Sequence, residues 1–105
     1  MRPGPGEVWL ADLGLAAKAR PVVIVSREDE KPPRALVTYV PLTTQYRGSS
    51  YEVALGRLSF LREISYANTQ GIGSLPSVRL ERRLGTVSAG FFDHIRASLR
   101  FALGL

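Results

Sequence analysis

At 105 residues and 45% hydrophobic content, the chain has the size and composition of one globular domain, expected over residues 1–105. It contains no cysteine, which removes disulfides and thiolate zinc sites. No stretch approaches the roughly 18 apolar residues of a membrane span, and Met1-Arg2-Pro3-Gly4-Pro5-Gly6 lacks the apolar centre of a secretory signal. A soluble, cytoplasmic protein is therefore expected. Fourteen Lys and Arg against nine Asp and Glu give a net charge of +5, and only Lys18 and Lys31 are lysines. The arginine fork pairs with phosphate and stacks on bases, so this balance suits nucleic acid or an acidic partner as readily as simple solubility.

Gly6 to Leu13 places Val8 and Leu10 on one face of an extended chain and Trp9, Ala11 and Leu13 on the other, a strand buried on both sides. A short connector, Gly14 to Ala19, precedes Arg20-Pro21 and the β-branched run Val22-Val23-Ile24-Val25-Ser26, the clearest strand in the chain. Arg27 to Arg34 is charged and carries Pro32-Pro33, hence a loop. Strands are expected over Ala35–Leu42 and Tyr51–Leu55, separated by the polar bend Thr43 to Ser50. Ser65 to Leu75 reads as extended, interrupted by Gly71 and Gly73. Pro76 suits a first helical turn, and Val78-Arg79-Leu80-Glu81-Arg82-Arg83-Leu84 is expected as a short helix. Ser88 is a plausible N-cap for a last helix, along which Phe91, Phe92, Ile95, Leu99, Ala102 and Leu103 recur at helical spacing. The expected class is mainly β: a twisted, mostly antiparallel sheet or small barrel closed by a C-terminal helix.

Several chemistries are excluded by composition. Gly71-Ile72-Gly73 lacks the third glycine and the following helix of a dinucleotide loop. His94 is the only histidine and falls among Phe91, Phe92 and Ile95, which reads as a partly packed helix-face residue rather than a catalytic one. Glu28, Asp29 and Glu30 read as a solvated charge run rather than a metal site, and no cofactor is expected. What remains is arginine and hydroxyl chemistry. Arg20 opens the strongest strand, and Thr43-Thr44-Gln45 closes another. If those two ends are neighbours, a guanidinium and hydroxyls converge where a scissile phosphate could be held. RNA carries its own nucleophile, the 2′-hydroxyl, so such a site needs no metal-activated water. Alternatively, Arg20 pairs with Glu7 or Asp12 and the threonines merely end a strand.

The order of these segments resembles the MazF/PemK toxin family. The resemblance rests on Gly6-Glu7-Val8-Trp9-Leu10-Ala11-Asp12-Leu13, on Arg20-Pro21 with its apolar strand ending in Ser26, on Pro41-Leu42-Thr43-Thr44-Gln45, and on Arg79-Leu80-Glu81-Arg82-Arg83-Leu84-Gly85 before a terminal amphipathic helix. It implies an SH3-like barrel with a C-terminal helix, forming a twofold dimer. It also implies a metal-independent, sequence-specific endoribonuclease of a toxin–antitoxin pair, cleaving single-stranded RNA by 2′-hydroxyl attack to leave a 2′,3′-cyclic phosphate. The family's catalytic arginine and threonine carry over to Arg20 and Thr43. Glu7, Lys18, Thr44, Gln45, Asn68 and Gln70 become RNA-binding or supporting candidates, and the implied partner is an antitoxin whose acidic tail lies over the basic groove.

This chain departs from the family pattern in two places. The loop before Arg20-Pro21 is short. Where relatives often carry Asp/Glu-Gln-Ile-Arg, this chain has Asn68-Thr69-Gln70-Gly71-Ile72-Gly73, without the acid or the arginine. Two other functions therefore compete: a catalytically silent RNA- or protein-binding relative, and a CcdB-like DNA gyrase poison acting through the tip of its last helix, here Phe101-Ala102-Leu103-Gly104-Leu105.

Overall fold

The β-branched run after Arg20 forms an inner strand of an antiparallel sheet in the computed structural model, which describes residues 2–14 and 18–105. The strands are β1 (Glu7–Ala11), β2 (Arg20–Ile24), β3 (Leu36–Thr43), β4 (Glu52–Ala54), β5 (Tyr66–Asn68), β6 (Gly73–Pro76) and β7 (Leu80–Thr86). They are followed by one helix, α1 (Ala89–Leu103). Strand order is β4-β5-β3-β2-β1-β7, and β6 also pairs with β3. The long β3 is divided along one edge: Leu36 to Tyr39 pair with β6, and Leu42 and Thr43 pair with β5.

The alternation read from β1 holds, because the sheet has a cluster on each face. Val8, Val23, Val40, Val53, Leu55 and Ala67 pack with Ile95 of α1 on one side. Trp9, Ala11, Val22, Ile24, Val37, Leu75 and Leu80 pack on the other. Each fully buried Val, Leu or Ile contributes roughly 1.5–3 kcal/mol by its removal from water, so both faces are held. Helix α1 starts as its sequence suggests: Ser88 Oγ accepts from the Phe91 amide at 3.2 Å. It closes with the Gly104 amide on the Phe101 carbonyl and the Leu105 amide on the Arg100 carbonyl. No helix of the described residues is long and apolar enough to cross a membrane.

One expected element is overturned. Val78 to Leu84 is not a helix: a single 3-10 turn at Ser77–Arg79 leads straight into β7. Local propensity favours a helix there, but β1 has a second edge to satisfy. Trp9 pairs with Arg83 and Leu10 with Arg82, at the cost of irregular register between Val8 and Trp9 and between Leu10 and Ala11. Pairing in the folded sheet outweighs the local preference. Pro76 accordingly ends β6 rather than opening a helix. The connector Gly14 to Ala19 falls partly outside the described residues.

Candidate functional site

β2 and β3 run antiparallel with Val22 opposite Pro41. Two residues further along each strand lie Arg20 and Thr43, so the register sets them opposite one another with side chains on one face. The two strand ends singled out in the sequence are therefore neighbours. Arg20, Thr43, Thr44 and Gln45 line a pocket of about 420 Å³, walled by Leu13, Pro21, Pro41, Leu42 and Ser65. The Thr43 hydroxyl oxygen accepts from the Gln45 amide at 3.1 Å, which fixes that oxygen and leaves its proton free to donate into the pocket.

Thr43 and Gln45 also line a second, adjoining pocket of about 470 Å³ with Arg47, Ser49, Tyr51, Glu52, Asn68 and Gln70. On the other side, Pro21, Thr44 and Ser65 are shared with a hollow of about 360 Å³ that reaches Arg62 and Arg82. The three depressions share lining residues around the ends of β2 and β3, and together they make up the candidate groove. Arg20, Arg47, Arg62 and Arg82 face it, against Glu52 and Glu63. Such a row of guanidiniums suits a polyanion.

The loop bearing Arg47 is built rigidly. The Glu52 carboxylate accepts from the amides of Arg47 and Ser49 and from the Ser49 hydroxyl, at 2.8–3.3 Å. The Ser49 amide and hydroxyl, with the Arg47 amide and charge, hold the Glu52 carboxyl below its ordinary range. Tyr46 stacks on Tyr66 with ring centroids 4.6 Å apart and planes 12° from parallel.

Asn68 and Gln70 thus join the groove, and Asn68 Oδ1 also accepts from the Gln70 amide at 3.2 Å. Gly73, at the end of this segment, packs closely against Tyr39. A Cβ there would lie 2.9 Å from the hydroxyl of Tyr39, its partner across β3 and β6. Lys18 is exposed, two residues ahead of Arg20. Glu7 is not among the residues lining the Arg20–Thr43 pocket. It sits at the far end of β1, four residues or roughly 13 Å from Ala11, which faces Arg20. Its carboxylate accepts from the Trp9 indole at 2.9 Å and the Gly4 amide at 3.1 Å, and lies 3.7 Å from Arg83. These contacts hold the Trp9 indole in place. Asp12 accepts from the Gly14 amide, so neither carboxylate serves Arg20.

Sequence reading missed Arg47, Arg62 and Arg82. The only local signal was charge, in polar loops for Arg47 and Arg62 and in β7 for Arg82, and folding decides which of these segments meet. Glu28, Asp29 and Glu30 are exposed, with Arg2 paired to Glu28 and Glu30. Among the described residues, no group of three or more His, Asp or Glu side chains could hold a metal ion. His94 lies in a separate groove between β4 and α1 with Ser50, Glu52 and Phe101.

A model of PemK-like, MazF-like toxins of type II toxin–antitoxin systems matches residues 4–103. The chain belongs to this family. The toxin is 35% identical over 72 residues to endoribonuclease MazF3 of Mycobacterium tuberculosis, covering 69% of this chain and 70% of that protein. Its fold matches a solved endoribonuclease from a mycobacterial species with a TM-score of 0.84 at 33% identity, over 100% of this chain and 94% of the other. It also matches a mycobacterial endoribonuclease solved with its cognate antitoxin, with a TM-score of 0.85 at 35% identity, over 98% and 96% of the two chains. The mainly β architecture with one C-terminal helix is the architecture of these toxins.

Proposed function

We propose that this toxin is an endoribonuclease that cuts single-stranded RNA at the Arg20–Thr43 pocket, using the 2′-hydroxyl of the substrate as nucleophile. The 2′-oxygen bonds to phosphorus while the bond from phosphorus to the 5′-oxygen breaks, leaving a 2′,3′-cyclic phosphate and a 5′-hydroxyl. The 2′ proton is lost and the leaving oxygen gains one through the water that fills the open pocket. Arg20 stabilises the negative charge that builds on the phosphoryl oxygens, a task suited to the planar, multi-donor guanidinium cation. Thr43 donates its hydroxyl proton to one of those oxygens and so fixes the phosphate. Because the nucleophile belongs to the RNA, the step requires neither an activated water nor a metal ion.

The observation that carries this reading is the cross-strand placement of Arg20 and Thr43 over one pocket. Gln45, Thr44, Asn68 and Gln70 supply hydrogen bonds along the groove, and groove shape sets the RNA sequence that is cut. The chain acts as one domain in a cytoplasmic homodimer, and a cognate antitoxin with an acidic segment occupies the same arginine-lined groove. The mycobacterial homologue solved in complex with its cognate antitoxin supports that partner class.

The test is to incubate purified protein with mixed-sequence single-stranded RNA in EDTA and analyse the new ends. Cyclic-phosphate ends are expected. Intact RNA in the presence of folded protein would sink the reading and favour a silent RNA- or protein-binding relative.

A further inference from the structure

The geometry points to a nucleobase-stacking subsite on Tyr46 and Tyr66, directly beside the proposed cleavage pocket. This inference rests on the ribonuclease reading and adds the group that would hold a base of the bound strand. Thr43 pairs with Tyr66 across β3 and β5, just as the β2–β3 register sets Arg20 opposite Thr43. Arg20, Thr43 and Tyr66 therefore form one cross-strand row on the same face, with neighbouring strands about 4.8 Å apart. A guanidinium, a hydroxyl and an aromatic ring stand in that order. A phosphate held by the first two leaves the base of an adjoining nucleotide within reach of the third.

The ring at the end of the row is extended by a second one. Tyr46 lies nearly parallel on Tyr66, 4.6 Å between centroids. Only one face of Tyr46 is used in this way, and the residue remains 55% exposed. A tyrosine serving only to pin the loop would bury its ring more completely. Beyond Tyr66 the row ends at the small, exposed Ala54, so the cross-strand neighbour itself adds no bulk there. The stack is also held ready, since the next residue, Arg47, has its amide fixed by Glu52. Little ordering entropy remains to be lost on binding. A flat, partly exposed aromatic surface flanked by arginines is the chemistry that takes a base by stacking and its backbone by charge.

The test uses a 2′-O-methyl copy of an oligonucleotide that the wild type cleaves, so that binding is measured without turnover. Tyr46→Ala is expected to weaken binding about tenfold, and Tyr46→Phe to retain it. In wild type, an abasic nucleotide at one position beside the scissile phosphate should cost a similar factor. In Tyr46→Ala the same abasic nucleotide should cost nothing further. A ring that only braces the loop would instead weaken intact and abasic strands equally in the variant, leaving the abasic penalty in place. That outcome overturns the proposal, as does wild-type affinity in Tyr46→Ala. If the wild type cleaves no RNA at all, the ribonuclease reading fails first and takes the subsite with it. That failure is visible before any Tyr46 variant is made.

Discussion

The hydroxyls of Ser98 in α1 and Thr69 in the turn after β5 lie 2.8 Å apart in the interior. Thr69 Oγ1 also lies 2.7 Å from the Tyr51 carbonyl, and Ser98 Oγ 2.8 Å from the Ser50 carbonyl. Two hydroxyl protons are thus shared among three short contacts. The pair ties the helix to the loop that presents Arg47 and Tyr46. Ser98→Ala is expected to destabilise the fold by about 1–2 kcal/mol, because it removes the Ser50 carbonyl's bond and a partner of Thr69. Thr69→Val should cost less, since the Tyr51 carbonyl keeps the Thr69 amide and Ser98 keeps Ser50. Urea midpoints at unchanged m-value check both. Equal losses would contradict this assignment of bonds.

Gly85 in β7 faces the ring of Phe60, and a Cβ at that position would lie 2.4 Å from two ring carbons. Phe60 packs on the core face beneath α1, and its loop carries Arg62 to the groove. Gly85→Ala is expected to destabilise the protein by roughly 1–3 kcal/mol through overpacking. It should also weaken RNA binding by displacing Arg62. Denaturation and binding measured on one preparation check the two effects together.

Much of this architecture is legible in the sequence because the relevant patterns are local. Val22 to Ile24 could hardly be anything but a strand, and Ser88 with the spacing of Phe91, Phe92, Ile95 and Leu99 defines α1. β7 is not legible. Leu80 and Leu84 with charges between them have helical spacing, and only the open edge of β1 makes that segment extended. The same division applies to the groove. Arg20 and Thr43 stand out because each sits at a strand end. Tyr66 and Arg47 do not, since their place depends on pairing between β3 and β5 and on a loop fastened from a distance. Glu7 lies in a motif and accepts from the Trp9 indole, a bond no spacing reveals.

RNA binding should depend on salt through the arginines of the groove. Binding to single strands falls with a log–log slope of about −0.7 for each phosphate neutralised. If Arg20, Arg47, Arg62 and Arg82 each meet one phosphate, the slope is about −3. Replacing any one by alanine should make it shallower by about 0.7. A slope unchanged in Arg47→Ala or Arg82→Ala would remove that residue from the interface.

Glu52 predicts a pH dependence confined to one loop. Its folded carboxyl pKa is lowered, chiefly by the Ser49 amide and then by the Ser49 hydroxyl. The charged form therefore stabilises the loop above the unfolded carboxyl pKa, and this contribution is lost as pH falls through the lowered folded value. Hydrogen exchange at the Arg47 and Ser49 amides should show protection declining over that acidic window in wild type. Glu52→Gln should show no such step.

Joint action of Arg20 and Thr43 at one phosphate can be measured directly. Single-turnover cleavage of one RNA in EDTA, for wild type, Arg20→Ala, Thr43→Val and the double variant, measures this at saturating enzyme. Each single variant is expected to lose about 10²–10³-fold in rate. The double variant should lose much less than the product of those factors, because the two groups act as a unit. Full multiplicative losses, or a wild-type rate in Arg20→Ala, would contradict a shared catalytic pocket at the ends of β2 and β3.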